Sequence, residues 1–474
     1  MVTQKITIEP VTRIEGHAKV TVHMKEDGSV EHAYFHVNEF RGFEKFCEGR
    51  LVTEMQQITP RICGICPVSH HLAAAKAGDV VLGCPPPRPA SLLRELMHMG
   101  QIIQSHGMHF FELAGPDLLL GFDADPAIRN VVGLIQADPE LTVKAVRLRK
   151  FGQAIISELG ERSIHPTFAI PGGVNRTLSA AGRDRILADL DAQIETTKLG
   201  IKIVKDWAEA NRETVDKFAV FPTGYLGLIT PSKGLELYNG NIRLKSRTGE
   251  ELEIFNPQNY LDYIAEHVEP WSYLKFPYYK KLGYPEGVYR VGPLGRINMV
   301  ENIGTPMANE ELKVFKAINN GAPVENTLYY HYARMIEVLF ACEHVRDLLE
   351  DPDILSNDIL NTHQEPVGHG VGIIEAPRGT LIHDYTANEY GQLTKVNLIV
   401  STGHNNYAMS KAVDMVAKEY VHGPDVKEGM LNRVEHAIRA HDPCLSCSTH
   451  AVGQMPLEIT IYDHQGNLIQ TLRR

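Results

Sequence analysis

The chain has 474 residues, 43% hydrophobic and 22% charged, the proportions of a globular protein that buries roughly three quarters of its unfolded surface. A formal charge of -11, with no basic stripe and no low-complexity tail, argues against a nucleic-acid binder. The N-terminus MVTQKITIEPVTRIEGH lacks the apolar core of a signal peptide and no uncharged apolar run is long enough to span a bilayer, so a cytoplasmic protein with no membrane span is expected.

In chain order, HAKVTVHM and HAYFHV alternate apolar and polar residues on either side of Asp27-Gly28, which predicts a β-hairpin. From Cys66 to about Gly115 the pattern turns helical, interrupted at Cys84-Pro85-Pro86-Pro87, and SLLRELMHMGQIIQSHGMHFFELAG carries an apolar stripe at helical spacing. Further long helices fit 139–160, 179–216, 325–350 and 408–421, while the Gly- and Pro-rich stretches 166–175 and 366–379 read as loops. After His450, PLEITIYDHQGNLIQTLRR alternates again around a Gly-Asn turn. The expected architecture is α+β, a mostly helical body with small peripheral β-sheets. Length alone would suggest about three domains, but no repeat or linker divides the chain.

Two of the chain's motifs carry metal chemistry. Cys63 and Cys66 in RICGIC, and Cys444 and Cys447 in DPCLSC, form two C-x-x-C pairs whose four soft thiolates suit a transition metal. Cys47, Cys84 and Cys342 stand alone and read as buried small hydrophobes, and unpaired cysteines suit a reducing compartment. A structural zinc is the plain reading of two such pairs, yet zinc ribbons place them roughly 15–20 residues apart. Here about 380 residues intervene, a gap that loop-closure entropy permits because its cost grows only logarithmically. A thioredoxin-like redox pair is weaker, since neither motif sits in a βαβ pattern. If both pairs serve one site the chain ends must meet, so 1–450 is expected to form one intertwined unit. Arg61, His70, Asp442 and His450 flank the pairs, and PVTRIEGH, RGFEKF and EAPRG add further acids and arginines. Together with four thiolates they suggest proton handling beside a metal.

Six segments, PVTRIEGH (10–17), RGFE (41–44), RICGICPVSHH (61–71), HFFELAGPD (109–117), EAPRG (375–379) and DPCLSCSTH (442–450), resemble the large subunit of nickel–iron hydrogenases, from the first ten residues to the C-terminal end. Within that family the length, the start and the ending STHAVGQMPLEITI are most similar to the HoxH subunits of bidirectional, NAD-reducing cytoplasmic enzymes. The resemblance implies reversible oxidation of dihydrogen to protons and electrons at a nickel–iron centre whose iron carries carbon monoxide and cyanide. It implies Cys63 and Cys444 as terminal nickel ligands and Cys66 and Cys447 as bridges to iron. Glu15 matches a proton-relay glutamate, and Arg378 an arginine lying over the metals. Asp117 and Asp442 match carboxylates that hold that arginine, and His70 a histidine that donates a hydrogen bond to a bridging sulfur. Glu44, a backbone carbonyl at Leu398 and His450 match ligands of a hard cation, usually magnesium.

The same resemblance implies that 451–474 are removed by a maturation protease once nickel-insertion proteins have loaded the site. No G-x-G-x-x-G follows a strand and no cysteines remain for an iron–sulfur cluster, so electrons must leave through partners: an iron–sulfur small subunit, with an NAD-linked flavin and iron–sulfur module beyond it. An F420- or viologen-linked hydrogenase of the same group, a quinone-binding subunit of the complex I type and a non-catalytic zinc-stabilised scaffold are the alternatives. Retention of all four cysteines speaks against the quinone-binding branch, which has lost the metal site.

Overall fold

The computed structural model describes residues 5–39, 41–423, 425–449, 458–462 and 468–473. Its centre is the helix Arg88–Met108, whose residues from Leu96 onward are buried on every side rather than along one stripe, as expected of a helix surrounded by others. It crosses the helix Pro139–Gly160 at two glycines. A Cβ on Gly152 would lie 2.5 Å from Gly100 O, and one on Gly100 would lie 2.9 Å from Gly152 O, so the two backbones touch where no larger residue fits. The helix Tyr330–Glu350 packs against both Arg88–Met108 and Ala180–Ala210.

Most predicted helices form with small shifts at their ends. Pro139–Gly160 starts at Asp138, whose carboxylate accepts from Leu141 N at 2.9 Å, with Pro139 in the first turn. The 179–216 segment divides at Asn211 into Ala180–Ala210 and Arg212–Lys217. The 325–350 segment opens with a 3₁₀ turn, Thr327–Tyr329, before Tyr330–Glu350, and the last long helix runs Asn406–Tyr420. The first sheet has three antiparallel strands, Lys5–Ile8, Lys19–Met24 and Val30–His36, the latter two being the predicted hairpin. Strands Glu458–Tyr462 and Leu468–Arg473 pair antiparallel, matching the terminal alternation, and the turn between them lies outside the described residues.

The expected loop at 366–379 is instead most of a buried hairpin. His369–Ala376 pairs with Gly379–Ala387 in register Ala376↔Gly379, and Leu393–Ile399 completes the sheet. Its glycines serve packing, not flexibility. A Cβ on Gly372 would sit 2.1 Å from Ala73 O and 2.5 Å from Ala77 N, and one on Gly370 would sit 2.7 Å from the Val80 Cβ. The strand therefore lies directly on the helix Pro67–Val81, an approach only a residue without a side chain permits. The expected loop at 166–175 likewise holds a short antiparallel pair, Ala169–Ile170 with Gly173–Val174.

Buried side chains draw the chain ends together. One apolar cluster joins Val20, Val22 and Phe35 of the first sheet to Val413 and Val416 of the helix Asn406–Tyr420 and to Ile438 and Leu445 near the last cysteines. A larger cluster holds the central helices and all four motif cysteines. Overpacking at the strand–helix contact has a direct consequence: Gly372→Ala should cost about 1–3 kcal/mol or more, measured as a lowered thermal midpoint. Gly304→Ala, where a Cβ meets nothing within 4 Å, should leave the midpoint unchanged.

Candidate metal centre

Each cysteine is placed by its own local structure. Cys63 ends the 3₁₀ turn Thr59–Ile62, and Cys66 directly precedes the helix Pro67–Val81, where Pro67 occupies the first position without loss of a hydrogen bond. Cys444 leads into the short helix Leu445–Ser448, which returns Cys447 to the same side one turn later. The four sulfurs converge. Cys63 and Cys444 are 3.2 Å apart, Cys66 and Cys447 3.2 Å, Cys66 and Cys444 3.9 Å, and all four lie within 4.8 Å of one another. All are buried.

A glycine allows this meeting. Gly16, at φ +83°, would with a Cβ come 2.8 Å from the Leu445 Cβ and 2.9 Å from Ser446 N. The RIEGH backbone thus runs against the DPCLSC segment: Glu15 bridges Cys444 in parallel, and its carbonyl accepts from Leu445 N at 3.1 Å. The Glu15 carboxylate accepts from Ser446 N at 3.1 Å, which holds it at the start of the short helix between the two C-terminal cysteines.

The thiols do not ionise alike. Hydrogen bonding from Cys444, Cys447 and Cys66 draws Cys63 well below the ordinary thiol range, whereas burial pushes Cys444 and Cys447 well above it. Held as thiolates this close and this dry, the four would demand a cation, and soft sulfur donors fit nickel and iron. Two further atoms support the fit: Arg378 Nε and Asp442 Oδ2 are buried without a hydrogen-bond partner among the described residues.

Arg378 occupies the two-residue turn of the buried hairpin and is 2% exposed. It donates from Nη2 to Asp442 Oδ1 at 2.9 Å and from Nη1 to Ser105 Oγ at 3.3 Å. Burial alone would lower the guanidinium pKa, yet Asp442 and the Cys444, Cys66 and Cys63 sulfurs hold it well above its usual value. Burial in turn raises Asp442, against the pull of Arg378 and Arg334.

The turn is anchored from behind by residues the sequence did not single out. Arg296 forks onto Glu337 with two bonds of 2.6 Å, reaches Glu375 Oε2 at 2.8 Å, and donates to the Ala376 and Pro377 carbonyls at 3.0 and 3.3 Å. His106 lies 2.9 Å from Glu337. Every member of this network is buried. Glu375 stands inside EAPRG, but nothing in the local sequence marks Arg296 or Glu337 as its partners.

The expectation that Asp117 holds Arg378 is corrected by the structure. Asp117 accepts from Arg13, from Arg439, from His436 Nδ1 at 2.7 Å and from Asn432 Nδ2 at 3.1 Å. Burial would raise its pKa, but Arg439, His436 and Arg13 hold it well below the carboxylate range. The reason lies in the π-helical turn His109–Ala114, which widens the helix just before Asp117 and carries it toward Glu428–Arg439.

His70 lines a small cavity together with Cys66, Cys444, Cys447, Arg378 and Thr402. Glu44 Oε1 accepts from the Leu398 backbone N–H at 2.7 Å, so RGFE and this strand do adjoin. His450 lies outside the described residues, but Arg41 N donates to the carbonyl of its neighbour Thr449 at 2.7 Å. Arg61 stays exposed.

Comparison with known proteins supplies the family. The nickel-dependent hydrogenase profile matches residues 41–147 and 229–450, and a HoxL-like profile matches 5–40. The chain is 43% identical over 487 residues to the NAD-reducing hydrogenase HoxS subunit beta of Cupriavidus necator, covering 100% of both chains. It is 47% identical over 414 residues to a subunit of the F420-non-reducing hydrogenase vhu of Methanocaldococcus jannaschii, covering 87% of this chain and 99% of that one. Among solved structures it superposes on an NAD+-reducing [NiFe]-hydrogenase in the H2-reduced state with TM-score 0.92 and 42% identity, over 95% of this chain and 100% of the other.

The buried pair over the sulfurs can be tested by stability. Arg378→Leu should cost about 3–5 kcal/mol because it strips Asp442 of its charge partner. Arg378→Leu combined with Asp442→Leu should recover part of that loss, as read from thermal midpoints of the two proteins.

Proposed function

The chain belongs to the nickel-dependent hydrogenases as their catalytic subunit, which oxidises dihydrogen, and from that premise we propose how its residues divide the work. Cys63, Cys66, Cys444 and Cys447 would hold a nickel–iron centre through their four sulfurs. The convergence of four sulfurs from both ends of the chain carries this reading. Cys66, Cys444 and Cys447 border the small cavity. The iron of that centre would carry carbon monoxide and cyanide beside the wall of Arg378, Ser401 and Thr402. When bound, the centre supplies the electron-pair acceptor that makes dihydrogen acidic enough to lose a proton.

The protein's part is to receive that proton and carry it off. The Cys444 sulfur is the first acceptor. Glu15, whose carboxylate is fastened to Ser446 N two residues on, takes it next and is partly exposed. Arg378 keeps a permanent positive charge beside the sulfurs and, held by Asp442, orients what enters the cavity.

We assign a structural magnesium to Glu44, the Leu398 carbonyl and His450, supported by the adjacency of Glu44 with Leu398 and of Arg41 with Thr449. Residues 1–450 act as one unit, and 451–474 are clipped by a maturation protease after nickel-insertion proteins have delivered the metal. Electrons leave through an iron–sulfur small subunit, then through a flavin module to NAD in the cytoplasm, a reading supported by the full-length similarity to the Cupriavidus necator protein. Among the described residues no helix is long and apolar enough to cross a membrane. The second reading, a viologen-linked or other non-NAD acceptor, draws on the comparable identity to the Methanocaldococcus jannaschii protein.

The decisive measurement is metal content and hydrogen-dependent NAD reduction of the complex purified anaerobically. Near-stoichiometric nickel with extra iron is expected, and both should vanish in Cys444→Ser; zinc in place of nickel would overturn the assignment. NAD reduction separates the two acceptor readings. Glu15→Gln, which keeps the acceptor atom for Ser446 N but cannot carry a proton, should retain nickel and lose deuterium–proton exchange by a factor of about 10²–10⁴. Undiminished exchange would remove Glu15 from the path.

A further inference from the structure

Behind His70 the structure holds a line of buried polar groups that the proton path does not use. His70 Nδ1 is 3.1 Å from His383 Nε2, and His383 Nδ1 is 2.6 Å from Tyr385 Oη. His383 and Tyr385 stand two residues apart on the buried strand Gly379–Ala387, hence on one face, and that strand packs against the helix bearing His70. All three side chains are buried.

Hydrogen-bond polarity along this line follows from its far end. A phenol in so apolar a place keeps its proton, and burial raises Tyr385 well above the ordinary tyrosine value. Where that O–H is directed at His383 Nδ1, the ring nitrogen accepts. A neutral imidazole that accepts at Nδ1 carries its hydrogen at Nε2, so His383 donates to His70 Nδ1. His70 is left with its own hydrogen on Nε2. His70 also lines the cavity shared by Cys66 and Cys447.

We propose that His383 and Tyr385 are positioning residues that lock His70 in the tautomer able to donate a hydrogen bond toward the Cys66 and Cys447 thiolates. The inference rests on the reading of His70 as a donor to a bridging sulfur. A donor at a thiolate withdraws electron density from the metal it binds, and partners one shell out fix both orientation and tautomer of the group that does so. One strand thus serves the centre twice: Arg378 precedes its first residue, and His383 and Tyr385 follow on its inner face.

The test compares four variants of the complete complex purified anaerobically: His70→Leu, His383→Leu, His383→Gln and Tyr385→Phe. Each is read by nickel content, by the nickel electron paramagnetic resonance signal and by hydrogen turnover. The proposal expects His383→Leu and Tyr385→Phe to keep nickel, to shift the resonance in the same direction as His70→Leu, and to lose turnover by about tenfold or more. His383→Gln, whose amide N–H can stand where Nε2–H stood, should recover the native resonance. If His70→Leu moves the resonance while Tyr385→Phe and His383→Leu leave it unchanged, the lock is wrong and the donor role of His70 stands. If His70→Leu itself moves nothing, that donor role falls and the lock with it. Should His383→Gln fail as His383→Leu does, the line acts by packing rather than polarity and the proposal is overturned. Tyr385→Phe removes one oxygen and no bulk, which keeps the outcome readable even where His383→Leu folds poorly.

Discussion

Four cysteine sulfurs within 4.8 Å of one another, all buried, form the constraint around which the rest of this molecule is arranged. Anionic sulfur in a dry interior is tolerable only beside positive charge, and positive charge there is tolerable only when fixed. Metals bound by the four sulfurs would supply most of it. Arg378 supplies the portion that belongs to the chain, and its position follows from the hairpin turn that carries it.

That turn shows how the surrounding scaffold trades stability for placement. Arg296, Glu337, Glu375 and His106 are fully buried, and ion pairs so deep repay their desolvation only when nearly every donor and acceptor is matched. Arg296 meets two carboxylates and two backbone carbonyls, one of which belongs to the residue directly before Arg378. Its work is to hold a backbone still. A second buried set, Asp117 with Arg13, Arg439 and His436, ties the RIEG segment to the helix leading into the last cysteines. Both sets brace segments that reach the sulfurs.

Close backbone contact does the remaining work. Gly16 lets the N-terminal segment run against Leu445 and Ser446, and Gly372 seats the Arg378 hairpin on the helix that begins after Cys66. Gly372 and its neighbours looked like loop residues because a glycine-rich run is ambiguous in isolation: flexibility and close packing call for the same residue. Three dimensions separate the two. In this hairpin the glycines face Ala73, Ala77 and Val80, and the strand is buried from Gly370 to Ala376.

The sequence by itself determined the ligand chemistry, the helical body with its small sheets, and the necessity that the chain ends meet. Two C-x-x-C motifs fix donor type and local spacing, and hydrophobic periodicity fixes most elements, because both are properties of neighbouring residues. Only the tertiary structure decided which carboxylate meets Arg378, and it chose Asp442 because a π turn carries Asp117 elsewhere. It also paired Arg296 with Glu337 and lined up His70, His383 and Tyr385. Apart from His383 with Tyr385, these are contacts between residues tens to hundreds of positions apart, and a side chain's choice among several distant partners is settled by helix phase and strand register, which no local pattern records.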